Sequence, residues 1–395
     1  MGSTVEAWHA QRLDSLTGMR FVAAGLVFLS HIATGGTFAA GSAVADGLDT
    51  VTKTASTVGV SFFFVLSGFV LTWSARPGDT YTGFLRRRLV KVYPNHLVTF
   101  GLAMVLFASA ATPSGTAVLN LLLLQAWSSD PSVYLSVNGA SWSLSCELLF
   151  YALFPLLLPL VRRIGVARLW WWAGGVAAAV LLLPVAALLL PAEPAIPATG
   201  SALDGVSFDR LWFLYIFPLS RLLDFALGML MARIVLSGKW IRLGAGWSAL
   251  LAAAAYVLGI LTPMAFTFDA VTIVPLALLV AALASADRTG TRTPMASWPL
   301  RLLGEASFAF YLVHGVVLTT MHDWVGSDTG LATGVGVLFS LGALAVSLVL
   351  ALAMHRWIES PAVRLWGRSR PATPATGPVP EQRLGSGGES TSAPV

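Results

Sequence analysis

LTGMRFVAAGLVFLSHIATGG, residues 16–36, is predominantly apolar, yet it keeps an arginine at 20 and a histidine at 31. A helix needs about 20 apolar residues to cross the hydrocarbon of a bilayer. Comparable runs follow at 56–75, 95–111, 141–161, 169–190, 211–236, 246–264, 269–286, 302–322 and 332–357. The stretch 116–127 is also apolar but short, and reads as a re-entrant or interfacial piece or an eleventh crossing. Backbone in lipid must satisfy its own hydrogen bonds, so the runs are predicted to be helices. They lack the period-two alternation of a membrane β-barrel. The expected fold is all-α: a polytopic membrane helix bundle of about ten transmembrane helices.

Composition agrees. Of 395 residues, 56% are hydrophobic and 11% charged, with a mean hydropathy of +0.76. A soluble domain carries about 25% charged residues. The net charge of +5 is spread over short loops, which speaks for the lipid bilayer as partner and against nucleic acid. With the N-terminus inside, the inner loops collect Arg76, Arg86, Arg87, Arg88 and Lys91, then Arg162, Arg163 and Arg168, then Arg233, Lys239 and Arg242, then Arg288, Arg292 and Arg301, and finally Arg364, Arg368 and Arg370. The outer loops carry Lys53 and Arg210 among many acids, Asp269 included. That asymmetry predicts an N-in/C-in thread. Trp127, Trp142, Trp212 and Trp324 fall near outer ends as interfacial anchors, with Trp170 to Trp172 near an inner end. Residues 1–12 read as a short cytoplasmic N-terminus with no cleaved leader. Residues 13–366 read as the transmembrane domain, and 367–395, rich in Pro, Gly, Ser and Thr, as a disordered cytoplasmic tail without an appended domain. The single cysteine, Cys146, excludes an intramolecular disulfide and a multi-cysteine metal site.

Ionisable side chains in hydrocarbon are costly and normally face a bundle interior. Arg20 and His31 are eleven residues apart, close to three turns, so they share one face roughly 16 Å apart. His31 is either an interhelical hydrogen-bonding group or a catalytic one; Arg20 either snorkels to the inner surface or holds an anion. In SWSLSCELLFYALFP, residues 141–155, Ser143, Glu147 and Tyr151 form one stripe. Glu147 needs a partner, and His31 in the same outer half is the economical choice, an arginine the other. Cys146 reads as a small apolar filler. In the sixth run Arg221 and Asp224 read as a structural ion pair, and Gly228 as a point of close helix approach. In the ninth, Ser307, Tyr311 and His314 share a face. HRWIESP at the end of the tenth places His355, Arg356 and Glu359 at the cytoplasmic interface. FLRRRLVKVYP, residues 84–94, reads as a basic inner loop closed by the proline that opens the third span. Its four cations either set topology or hold a phosphorylated ligand. No nucleotide-loop or metal-binding motif is evident.

Taken in order, LDSLTGMRFVAAGLVFLSH, GVSFFFVLSGFVL, FLRRRLVKVYP, SWSLSCELLFYALFP, SRLLDFALGML, LGEASFAFYLVH and RWIESP resemble the acyltransferase-3 family of integral membrane O-acyltransferases. The resemblance implies transfer of an acyl group, usually acetyl, from acyl-CoA to a hydroxyl of a sugar. The sugar belongs to a surface glycan or to a glycosylated natural product such as a macrolide. Acyl-CoA enters as a co-substrate; no bound cofactor or metal is implied. Arg20 and His31 match the family's first-helix pair. Arg88 and Lys91 match its Arg-x-x-Arg, with Lys91 keeping charge but losing a planar fork. Glu147 matches the acid after WSL, and Leu148 stands where a second acid often follows. His314 matches the late YLxH histidine. The implied roles are His31 as general base and Glu147 orienting it, with His314, Tyr311 or Ser143 facing the oxyanion. Arg20, Arg86, Arg87, Arg88 and Lys91 would hold the donor, with Tyr151 and Ser307 as polar support. The expected location is the bacterial cytoplasmic membrane. The competing reading is a transporter or flippase, against which stands the lack of visible internal symmetry.

Overall fold

The structure, a computed structural model, describes residues 12–76, 78–197, 203–326 and 330–367. The expectations for the N-terminal residues 1–11 and for the tail 368–395 lie outside the described residues. Each of the ten apolar runs overlaps a main helix: α1 (Asp14–Thr34), α2 (Ala55–Trp73), α3 (Tyr81–Ala103), α4 (Trp142–Arg163), α5 (Leu169–Ala186), α6 (Pro218–Leu236), α7 (Ala245–Leu261), α8 (Ile273–Thr289), α9 (Trp298–Val325) and α10 (Thr333–Met354). Among the described residues there is no strand, and two isolated bridges are the only β pairing.

By length and composition, seven helical segments can cross a membrane: Asp14–Thr34, Ala43–Trp73, Tyr81–Ala108, Gly139–Arg163, Val166–Leu189, Trp298–Val325 and Thr333–Trp366. The other three main helices are α6, which carries Arg221, Asp224 and Arg233, and α7 and α8, of 17 residues each. Seventeen residues rise about 26 Å, a little short of a hydrocarbon core. The exterior is apolar: Leu182, Leu189, Leu261, Leu338 and Val349 are all exposed. A soluble protein does not present such a surface, and this chain is a multi-pass membrane protein.

One open local reading is narrowed and two local expectations are corrected. The stretch 116–127 holds an eight-residue helix, Ser114–Leu121, that stops before Leu123 at φ 58°, so it is too short to cross. FLRRRLVKVYP is no loop: it forms the first half of α3, with Pro94 inside the helix. The sixth run breaks at Phe217, whose ψ of 123° leaves the helical region because Pro218 follows; a proline pushes the preceding residue out of that region.

Helix α2 is the buried hub, and α6 lies closest to it. Gly68 and Gly228 make this possible, since a Cβ at either would overlap a carbonyl of the other helix. Arg221 sits in this contact with no solvent exposure, ion-paired with Asp224 and, at 3.3 Å, with Asp269. Its Nη2 donates to Ser61 Oγ at 2.6 Å, and Ser61 donates to Asp269 at 2.9 Å. The expected ion pair is therefore a three-charge cluster. Asp269, expected among the outer-loop acids, is buried at its centre.

Candidate active site

Helices α1 and α9 run side by side in the same direction. Gly304 of α9 lets the chains touch at their starts, because a Cβ there would overlap the Thr17 carbonyl. Farther along, Phe21 and Phe28 pack on Phe310, and then His31 meets His314. His31 Nδ1 and His314 Nε2 are 2.8 Å apart. His314 Nδ1 lies 3.1 Å from the Phe310 carbonyl oxygen. A carbonyl only accepts, so His314 Nδ1 carries its hydrogen. With both rings neutral, His314 Nε2 is then bare and His31 Nδ1 donates to it. That leaves His31 Nε2 with its lone pair free.

This corrects the expected His31–Glu147 pairing. No hydrogen bond or ion pair joins the two residues. Glu147 instead accepts from the Tyr151 hydroxyl at 2.9 Å. It lines a cavity of about 110 Å³ with Tyr151, Arg20, Arg88 and Lys91. The structure thus separates two clusters that the sequence had merged: a histidine pair, and a carboxylate among cations. His314 is fully buried with both nitrogens engaged, so it has no donor left for an oxyanion.

The two clusters are joined by a row of cavities. The widest, about 580 Å³, is lined by His31, Val60, Trp142, Tyr215, Tyr311 and His322 among others, at the end of the bundle where α1 and α9 finish. A second, about 50 Å³, shares Val60 and Tyr311 with it and adds Arg20, Ser143 and Glu147. The third shares Arg20, Phe63, Glu147 and Phe308 with the second. The middle space is narrow, and Phe63 meets Tyr311 edge-on across it at 5.9 Å.

Not every expected residue joins this row. Ser143, Tyr151 and Tyr311 line it, whereas Ser307 is fully buried and donates to the Gly304 carbonyl at 2.8 Å. Of the basic cluster, Arg88 and Lys91, three apart on α3, face the third cavity. Arg87 pairs with Asp79 at 2.7 Å, and Arg86 is exposed. Trp142 is a wall of the wide cavity, packed on Phe64 and Tyr215, not an interfacial anchor. Glu359, expected at the surface, is buried and accepts from Asn95 at 3.0 Å. Cys146 is a buried filler near the Ile216 carbonyl.

Sequence reasoning missed His322, Tyr134 and Asn138. His322 continues the face of His314, two turns on, and lines the same wide cavity. Its Nδ1 lies 2.9 Å from the Leu318 carbonyl and its Nε2 3.3 Å from Thr37 Oγ1. Extending the stripe Tyr311–His314 by eight residues would have found it. Tyr134 and Asn138 come from the irregular segment before α4, where no periodicity points at them. Burial, with a smaller contribution from Asp130, pushes the Tyr134 phenol up to about 12, so it stays a hydroxyl.

Comparison with known proteins gives the family. The acyltransferase domain of the acyltransferase-3 family matches residues 13–356. Acyltransferase MdmB of Streptomyces mycarofaciens is 44% identical over 382 residues, covering 94% of this chain and 97% of that protein. The exopolysaccharide production protein ExoZ of Rhizobium meliloti (strain 1021) is 28% identical over 332 residues, covering 81% of this chain and 93% of that one. No solved structure matches. The family match covers the histidine pair, the carboxylate and the cations alike, and on it the chain belongs to the acyltransferase-3 family of membrane acyltransferases.

Proposed function

We propose that the protein moves an acetyl group from acyl-CoA onto a sugar hydroxyl of a glycosylated natural product of the macrolide kind, with His31 Nε2 as general base. The observation that carries this is the His31 ring, engaged at Nδ1 by His314 and lining a cavity that continues, wall by wall, to Arg20, Arg88 and Lys91. The anionic donor enters at the cationic end, which the positive-inside asymmetry makes cytoplasmic. Arg88, Lys91 and Arg20 hold its phosphates by charge-assisted hydrogen bonds. Glu147 balances these cations and is itself held by Tyr151. The pantetheine arm passes Phe63 and Tyr311, which move apart to admit it. The acceptor hydroxyl attacks the thioester carbonyl while His31 Nε2 takes its proton; the C–O bond forms, the C–S bond breaks, and the proton passes to the departing thiolate. Tyr311, whose hydroxyl is on the path, donates to the developing oxyanion, while Ser143 Oγ already gives its hydrogen to the Ala140 carbonyl at 3.1 Å.

The wide cavity favours a small glycoside over a polymer. About 580 Å³ is the range of small-molecule sites, and its walls include Trp142, Tyr215, Met264 and Phe268. The topology reading is ten crossings with both ends cytoplasmic, in the bacterial cytoplasmic membrane. The parallel courses of α1 with α9 and of α2 with α6 support it, since alternating spans of like parity run the same way.

The test is CoA release and acetyl transfer by the purified protein in nanodiscs. A transporter would show neither. Arg88→Ala with Lys91→Ala is expected to raise the KM for acetyl-CoA by about tenfold or more while kcat stays within a few-fold. An unchanged KM would confine those cations to topology. His314 is a positioning residue. His314→Leu, which frees the His31 ring, is expected to lower kcat by roughly 10–100-fold with KM unmoved. His314→Gln, whose side-chain oxygen still accepts from His31 Nδ1, is expected to recover most of that loss. Equal kcat in the two variants would show that the pair merely packs.

A further inference from the structure

The wide cavity holds polar groups that neither the histidine pair nor the donor path uses. Asn138 is 4% exposed and lines it together with His31, Tyr311 and Gly315. Its amide has a fixed sense, because Nδ2 donates to the Leu312 carbonyl at 2.9 Å and a carbonyl accepts only from a donor. The other terminus is therefore the oxygen. That Oδ1 is buried and has no hydrogen-bond partner. The Tyr134 hydroxyl, from the same segment and lining the same cavity, is likewise buried without one. Buried polar atoms are nearly always satisfied, so orphans on a cavity wall call for an explanation.

The surrounding backbone is arranged around this oxygen. Val137 has φ 60°, a left-handed conformation that a β-branched residue rarely adopts. Its side chain is buried in a cluster with Ala103, Ala108 and Val316, which holds the segment in place. The Asn138 carbonyl accepts from the Ser141 amide at 2.8 Å and from Ser141 Oγ at 2.7 Å. On the facing helix, Gly315 directly follows His314. A Cβ there would stand 3.4 Å from Asn138 Oδ1, in van der Waals contact with it, so glycine keeps a methyl group off this oxygen.

We propose that Asn138 Oδ1 accepts a hydrogen bond from a second hydroxyl of the acceptor, so that the site selects polyhydroxylated acceptors over simple alcohols. This rests on His31 being the base. The argument is a count of hydrogens. The reacting hydroxyl has one, and His31 Nε2 takes it. Asn138 Oδ1, an acceptor only, must be satisfied by a different donor on the same molecule. A simple alcohol leaves it orphaned, whereas a sugar fills both positions and offers Tyr134 a third contact. Sites built to hydrogen-bond a substrate hydroxyl discriminate strongly against analogues that lack it.

The experiment uses the full chain in nanodiscs with acetyl-CoA and two probes that share an eight-carbon apolar chain, octyl β-D-glucoside and 1-octanol. Both are kept below micelle-forming concentrations, and acetate from water is scored in parallel. In the wild-type protein, kcat/KM for the glucoside is expected to exceed that for octanol by at least tenfold. Asn138→Leu is expected to shrink the ratio by about tenfold, the effect of one neutral hydrogen bond made well. Gly315→Ala, which sets a methyl group against Oδ1 where a donor would approach, shifts the ratio the same way, and the double variant shifts it little further. Partial misfolding scales both probes alike and leaves the ratio unmoved. A wild-type ratio near one, or a ratio that survives Asn138→Leu, overturns the assignment of Asn138 while the base reading stands. If wild type acetylates neither probe nor water, or His31→Ala silences none of them, the base reading fails and this proposal falls with it.

Discussion

His31→Ala is expected to lower acyl transfer by roughly 10²–10⁴-fold, the usual worth of a positioned general base. The loss should fall on kcat. In the proposed mechanism the donor's charged end binds Arg88 and Lys91, which line the opposite end of the cavity row with Arg20, roughly 16 Å along α1 from His31, so acyl-CoA binding should be nearly unchanged. The variant leaves a space in the wall of a cavity of about 580 Å³. Exogenous imidazole is expected to enter it and restore part of the rate in a concentration-dependent way. Single-turnover measurements with labelled acetyl-CoA separate the two terms. Transfer at wild-type rate in correctly inserted His31→Ala protein would end the base assignment. A loss confined to KM would recast His31 as a binding group.

The ten apolar runs were legible because lipid demands length and low polarity of the helices it surrounds, and each run does overlap a helix. Helix ends and breaks were less legible. Phe217–Pro218 interrupts a continuous apolar stretch, and the basic segment 84–94 continues as helix through Pro94. Hydropathy reports burial in lipid and is blind to both. The candidate site was legible as residue types and not as partners. Helical spacing placed Arg20 and His31 on one face, and Ser143, Glu147 and Tyr151 on another. Which faces meet depends on close-approach glycines such as Gly304, and the register these set brought His31 to His314 instead of Glu147. Asn138 was not legible at all. It lies in a segment without period, and its importance rests on an unpaired oxygen that only three-dimensional packing reveals.

Arg221→Ala is expected to destabilise the protein by about 3–5 kcal/mol, the cost of removing one partner from a buried charge cluster. Among the described residues Arg221 is the sole cation ion-paired with Asp224 and Asp269, and all three are buried. Without it, two carboxylates share a dry site beside Ser61, and one or both must protonate or draw in water. The guanidinium also lies over the Phe64 and Tyr215 rings, at 5.4 and 5.9 Å, so its loss leaves a space at the α2–α6 contact. The measurement is the thermal unfolding midpoint in a fixed detergent, followed by the reactivity of Cys146, which is buried in the intact fold. Arg221→Lys keeps the charge without the planar fork and is expected to fall between wild type and alanine. The informative control is Arg221→Met combined with Asp224→Leu and Asp269→Asn, which removes the charges together. Because desolvating ions is costly, that triple variant should recover much of the lost stability. A midpoint for Arg221→Ala equal to that of wild type would mean that the cluster is already neutral or hydrated, and the structural role assigned to Arg221 would be wrong.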